Sequence, residues 1–383
     1  MTGALAGLRF VELAGLGPAP FAAMMLADHG AEVIRIHPLR PRRGIPSIDT
    51  AADVLARGRA SIAVDLKSTE GKALVLDLVA GADGLIEGFR PGVTERLGLG
   101  PQDCLARNPR LAYGRMTGWG QDGPLADRAG HDLNYIALTG VLLATGPVDR
   151  PVPPLNLLGD FGGGGMVLAF GMLAAVLSAK ATGRGQIVDA AMTDGAALLS
   201  TMIHGFRAAG AWKTARERNL LDGGAYFYGL YRCADGRFVA VGAIEPQFHA
   251  LLLQGLGLDA AGFDQADELR WLDARKRIAA VFASQPRAHW QWVFEGTDAC
   301  VTPVLDWDEA PDHTHNRARG TFIEVAGVVQ PAPAPRFSQT PAAPPGPPHL
   351  PLAGAEACLA RWSIAAERIA DLQQRGVVQH WAE

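Results

Sequence analysis

From Leu8 to Trp119 the sequence alternates short apolar runs with helical stretches, and this alternation constrains the fold more than any other feature. LRFVEL (8–13) is an apolar run next to glycine and reads as a strand. GLGPAPFAAMMLADHGA reads as a helix with a proline-rich start and a stop at Gly30. EVIRIHP (32–38), SIAVDLK (61–67), DGLIEGF (83–89) and LAYGRMTGW (111–119) read as further strands, with a helix at about 69–80. Strand–helix–strand spacing of this kind predicts an α/β protein with a Rossmann-like, doubly wound parallel sheet and helices on both faces. The first turn, Ala14 to Pro20, contains GxG but lacks the third glycine of GxGxxG. It reads as a close strand–helix packing turn rather than a dinucleotide site.

Two long apolar helices are predicted next, over His131–Ala144 and Gly165–Ala179, followed by a strand and a further helix. The pattern changes near Tyr226. YFYGLYRCADGRFVAVGAI is a hairpin turning at Asp235-Gly236, and amphipathic helices follow it. Nine prolines between Pro331 and Pro351 predict a stiff, extended connector. The expected organisation is a large domain over 1–190, a linker helix over 191–225 and a small α+β domain over 226–320. A proline-rich return over 321–351 and a C-terminal helix over 352–383 complete the large domain.

Apolar residues at 48% and charged residues at 19% exclude a disordered chain. A net charge of -4 argues against nucleic acid as a partner. Between Asp160 and Lys180 lie 19 uncharged residues, but four early glycines leave a helix of about 14, short of a ~20-residue span, so no membrane partner is expected. The four cysteines form no CxxC pair and suit a reducing, cytoplasmic compartment. The N-terminus has no basic region before its apolar stretch, and Glu12 interrupts that stretch, so no signal peptide is read. His313-Thr-His315 has no carboxylate-rich helix beside it and reads as a polar loop, not a metal site.

Several places can carry chemistry. Gly130-His131-Asp132 opens a predicted helix, where the macrodipole favours a neutral imidazole and free backbone N–H groups can hold an oxyanion. His131 or Asp132 reads equally as a plain helix cap. Asp160, ahead of four glycines, reads either as a reactive carboxylate or as an N-cap. Glu245, between an apolar strand end and Pro246, reads as a cap or as part of a site. Arg35, Arg40, Arg42, Arg43, Arg57, Arg59, Lys67, Arg90 and Arg96 cluster around strand ends, where doubly wound sheets bind ligands, and such cations suit phosphates.

Taken in order, LAGLRFVELAGLGPAPFAAMMLADHGAEVIRI, SIAVDLKS, LIEGFRPGVTERLGLGP, RMTGWGQDGP, AGHDLNYIALTG, PPLNLLGDFGGGG and GRGQIVDAAMTDG lead to LDGGAYFYGLYRCADGRFVAVGAIEPQF and PRFSQTP. The chain carrying them resembles the class III CoA-transferase superfamily, and within it the α-methylacyl-CoA racemases. The resemblance implies a CoA-binding large domain, an inserted small domain and an interlocked homodimer. It implies that His131 and Asp160 are catalytic and that Glu245 orients His131, across the subunit boundary. It places Arg96 and Lys67 on CoA and Arg90 in the RPG turn, with Tyr135 and Arg35 in the same CoA-binding set. Pro38 stands where some relatives carry an adenine-side Arg, a role that Arg40 could take over. Gly130 and Asp132 would offer backbone to the thioester oxygen. No cofactor is implied, since CoA is part of the acyl-CoA substrate. In the transferases of the superfamily Asp160 would instead be a nucleophile.

Overall fold

The computed structural model describes residues 2–40 and 50–381. The chain divides into two compact units, one from residues 1–139, 155–199 and 315–383, the other from 140–154 and 200–314.

In the first unit β1 (Arg9–Leu13) passes through Gly17 into α1 (Pro18–Asp28). Pro18 and Pro20 occupy first-turn positions whose N–H groups have no intrahelical acceptor. Gly17 takes φ 68°, a left-handed conformation that glycine adopts without strain. β2 (Glu32–His37), β3 (Ala60–Val64), α2 (Thr69–Ala80) and β4 (Gly84–Glu87) follow. Then come α3 (Val93–Arg96), α4 (Pro101–Arg107) and β5 (Ala112–Thr117). The single helix expected over His131–Ala144 is instead two, α5 (Asp132–Ala137) and, in the second unit, α6 (Val141–Ala144). The break falls at Gly140, whose φ of 83° takes the backbone out of the right-handed helix.

Re-entry into the first unit brings a second correction. The glycines before the apolar helix form no turn. Leu157–Met166 is a π-helical segment that runs directly into α7 (Val167–Thr182). Together they make a 26-residue run, long and apolar enough to cross a membrane, rather than about 14 residues. The glycines serve close packing. A Cβ on Gly195, in α8 (Met192–Leu199), would stand 1.8 Å from the Gly163 carbonyl oxygen. Before α8 the chain runs through β6 (Gln186–Ala191). Sheet glycines do the same for α7, since a Cβ on Gly114 would stand 2.5 Å from Met172 Sδ.

The second unit takes in 140–154 and 200–225 as well as most of the expected 226–320, and ends at 314. Arg216 donates to the carbonyls of Leu143, Pro147 and Val148, which fastens 140–154 to it. The unit continues through α9 (Thr201–Ala208), then β7 (Tyr228–Arg232) and β8 (Phe238–Gly242), paired antiparallel with a turn at Asp235-Gly236. α10 (Pro246–Gly255), α11 (Trp271–Phe282), α12 (Arg287–Phe294) and β9 (Val301–Pro303) complete it around buried Tyr226, Tyr231, Phe282 and Trp290.

The chain returns through α13 (Thr314–Arg319) and the hairpin β10 (Phe322–Val325) and β11 (Val328–Pro331). Residues 332–350 then carry little regular structure, as their prolines predict. The single C-terminal helix expected here is instead α14 (Glu356–Arg361) and α15 (Ala366–Gln374), with Ser363 between them at φ 61°. The strand β12 (Val378–Gln379) follows and pairs antiparallel with β3.

The finished sheet has the order β12-β3-β2-β1-β4-β5-β6; the five pairings from β3 to β6 are parallel, and only the β12 edge is antiparallel. That is the doubly wound Rossmann order with one antiparallel strand added. Both faces are covered, so the strands are apolar on both sides. Val11, Leu13, Ile34 and Ile36 pack with α2 and the C-terminal helices. Phe10, Val33, Ile86 and Met116 pack with α1 and α7. The order reverses between β1 and β4, and the carboxyl ends of those strands are where such sheets bind ligands.

Candidate active site

The turn after β1 meets Asp160. A Cβ on Gly17 would stand 3.2 Å from Asp160 Oδ2, so the glycine leaves room for the carboxylate. Asp160 is not an N-cap. It is the fourth residue of the π-helical segment, half-buried, and its Oδ2 accepts from Asn156 Nδ2 at 3.0 Å. Burial pushes its carboxyl above the ordinary carboxylate range. The Asn156 hydrogen bond opposes that push, the Asp132 charge adds to it and the His131 charge opposes it. Asp160, Asp132 and His131 therefore stand within electrostatic reach of one another.

His131 is the N-cap of α5 and is exposed, and its backbone N–H donates to Asn134 Oδ1 at 3.0 Å. Asp132, expected to offer backbone only, also uses its side chain. It is 8% exposed, and its Oδ1 accepts the Asp160 N–H at 2.7 Å. A Cβ on Gly159 would stand 2.3 Å from that oxygen, which makes glycine the residue that fits there. Tyr135, named with the CoA-binding set, is tied into the fold. It is 8% exposed, its hydroxyl donates to the Gly130 carbonyl, and its ring lies edge-on to Trp119 at 4.7 Å. It braces the turn that presents His131. Burial pushes its phenol up; Asp160 adds to the shift and Arg90 opposes it, which places exposed Arg90 near the same site.

Among the strand-end cations, Lys67 and Arg96 come together. They line a groove of about 350 Å³ with Lys72, Ser68, Glu95 and Gly98. Lys72 was not singled out in the sequence, although its placement near the start of α2, five residues after Lys67, is the available signal. The α3 helix that carries Arg96 is held from the sheet. Arg115 bonds Glu95 Oε1 at 2.8 Å and Glu87 Oε1 at 3.1 Å. Burial pushes the Glu87 carboxyl up to about 7 despite Arg115 and the Phe89 N–H.

Arg35 is 6% exposed, pairs with Glu12 at 3.3 Å and Asp53 at 3.4 Å, and donates to the Gly15 carbonyl at 3.4 Å. The parallel register sets Glu12 opposite Arg35, and buried Arg59 pairs with the same carboxylate. Arg57 is likewise committed, to Asp28 at 2.6 Å and to the Pro331 carbonyl of the return path. A buried charge needs a partner, and these side chains have theirs inside the fold. Arg40 is exposed beyond β2, whereas Arg42 and Arg43 lie outside the described residues. Glu245 lies in the second unit. It is the exposed N-cap of α10, and its carbonyl accepts the His249 N–H at 2.9 Å. His131, Asp132, Tyr135 and Asp160 all belong to the first unit.

Comparison with known proteins places the chain in a family of this fold. The chain is 48% identical to the mouse (Mus musculus) α-methylacyl-CoA racemase over 343 residues, 89% of this chain and 88% of that protein. It is 46% identical to the human (Homo sapiens) α-methylacyl-CoA racemase over 344 residues, again 89% of this chain and 88% of the relative. The crystal structure of a CaiB/BaiF family protein from Brucella suis superimposes with a TM-score of 0.78 at 25% identity, covering 94% of this chain and 100% of that one. The family model described as CoA-transferase family III matches residues 5–357, and the chain belongs to that family.

Proposed function

We propose that the chain is an α-methylacyl-CoA racemase that interconverts (R)- and (S)-2-methylacyl-CoA by 1,1-proton transfer through an enolate. The observation that carries this reading is the placement of His131 and a half-buried Asp160 together at the sheet's reversal point, with the Asp160 carboxyl pushed up by burial. Racemisation needs two acid/base groups flanking one carbon and a stabilised enolate between them. His131, oriented by Glu245, takes the proton on one face as base and returns it as acid. Asp160 serves the other face, as a base when ionised and an acid when protonated. Burial raises its pKa from the ordinary carboxylate value, the direction that favours the protonated form on that face. The first backbone N–H groups of α5, beside Gly130 and Asp132, hold the thioester oxygen as charge develops. The thioester itself acidifies the α-carbon, so the reaction calls for no metal or redox cofactor.

Lys67, Arg90 and Arg96 hold the CoA part through charge-assisted contacts. Arg96→Ala is expected to raise KM roughly tenfold with kcat changed far less, because that contact is made equally in ground and transition states. Steady-state kinetics against 2-methylacyl-CoA checks this, and an unchanged KM would remove Arg96 from the CoA site. The working form is a pair of interlocked copies in the cytoplasm. Large apolar side chains left uncovered on the first unit, including Met166, Phe170, Leu177 and Leu198, support a second copy packing there.

A CoA-transferase reaction is the alternative within the family. There Asp160 would attack as a nucleophile and His131 would have no part. The decisive experiment incubates the protein with (R)- and (S)-2-methylacyl-CoA in D2O and follows configuration and α-deuterium together. Each enantiomer should racemise with uptake of one deuteron, and acyl exchange onto a free acid without inversion would overturn the assignment.

A further inference from the structure

We propose that the Asp132 side chain is a positioning residue that ties the two acid/base segments together and holds the Asp160 carboxyl in place, an inference that rests on the racemase reading for its effect on activity. Three independent features of the geometry carry it. Asp132 is 8% exposed although it is a carboxylate, and its Oδ1 is spent on the Asp160 N–H at 2.7 Å. A buried carboxylate with a backbone donor has a directional hold that a surface cap lacks. Position 159 is built around that oxygen, since any Cβ there would come within 2.3 Å of it. Finally, Asp132 directly follows His131, so one side chain fixes the start of α5 to the π-helical segment carrying Asp160.

Two consequences follow. The Asp160 N–H already has an acceptor in Asp132 and is not available as a donor to the substrate oxygen, which leaves that role to the α5 backbone. The Asp132 charge also bears on Asp160. The groups that face the Asp160 carboxyl are His131 and Asp132 from α5 and Asn156 from its own segment, with Tyr135 nearby and Arg90 beyond it. The α1 start offers glycine and prolines, and Asp194 of α8 bears on Asp189. Asp132 is the one carboxylate in that set, so removing its charge lets Asp160 ionise at lower pH.

Asp132→Asn and Asp132→Ala separate the hydrogen bond from the charge. Asparagine keeps an acceptor for the Asp160 N–H and loses the charge. Its racemisation should persist at close to the parental KM, with the acid limb of kcat/KM moved to lower pH. Alanine loses both. Its kcat should fall by about tenfold to a hundredfold with KM little changed, as expected for a misplaced catalytic group, and α-proton exchange should fall more on one face of the substrate than on the other. The same shift is read without turnover from the 13C-carboxyl signal of Asp160, identified by its loss in Asp160→Asn. That signal should titrate lower in Asp132→Asn than in the parent protein. Unmoved Asp160 titration in a folded Asp132→Asn, or parental kcat in Asp132→Ala, would overturn the proposal. A parent protein that exchanges no α-proton would overturn the racemase reading instead, and the carboxyl titration would still decide the role of Asp132.

Discussion

Replacing His131 with alanine is expected to cut racemisation by about 10²–10⁴-fold, the usual contribution of a positioned general acid or base. CoA-thioester affinity should stay near the parental value, because Lys67, Lys72 and Arg96 line a separate groove of the same unit. His131 is an exposed N-cap, so its loss should spare the fold. Chiral analysis of product with each enantiomer, beside a binding titration, makes the measurement, and near-parental turnover would remove His131 from the mechanism. Co-expression of His131→Ala with Glu245→Ala extends it. If Glu245 orients the histidine of the other copy, mixed dimers contain one intact site and recover activity. If the pair acts within one chain, every site in the mixture lacks one member and no recovery follows.

Asp160→Asn should also abolish inversion, but its partial reactions are more informative. Each face of the α-carbon has its own proton acceptor, so the variant retains the one supplied by His131. In single-turnover experiments in D2O it should wash deuterium into one enantiomer much faster than it inverts either. Loss of exchange from both enantiomers together would contradict two independent bases. A nucleophilic Asp160 makes a different prediction, an acyl anhydride in the parent protein that hydroxylamine traps at that residue. Trapping there would sink the racemase reading. The pH dependence carries a sign as well. Burial raises the Asp160 pKa, so the ionised base is lost as pH falls through a value above the ordinary carboxylate range. The acid limb of the direction that uses Asp160 as base should therefore lie above that range.

Much of this protein is legible in its sequence. The alternation of LRFVEL, EVIRIHP, SIAVDLK, DGLIEGF and LAYGRMTGW determined a parallel sheet covered on both faces, because strands without a polar side must be buried twice. Prolines at a helix start, a DG turn and a proline-dense return are local signals, and the structure follows each of them. The ordered family segments brought His131 and Asp160 into view, and both are in the first unit near one another.

What local sequence left open depends on neighbours distant in the chain. Arg35 lies within β2, where the parallel register sets it beside Glu12 and the buried carboxylate pairs with it. Tyr135 sits in a motif that resembles a CoA site, but its ring fills the space over Gly118 and Gly130. The glycines after Asp160 read as a turn, since glycine is a poor helix former. Packing reverses that preference where α1 and α8 approach so closely that no Cβ would fit. The Asp132 clamp on Asp160 spans 28 residues and is set by no local pattern. Sequence determines which segments become strands and helices, because those choices rest on short-range periodicity. Only the tertiary structure decides which charge finds which partner, because burial makes an unpaired charge costly and the available partner is fixed by register and packing.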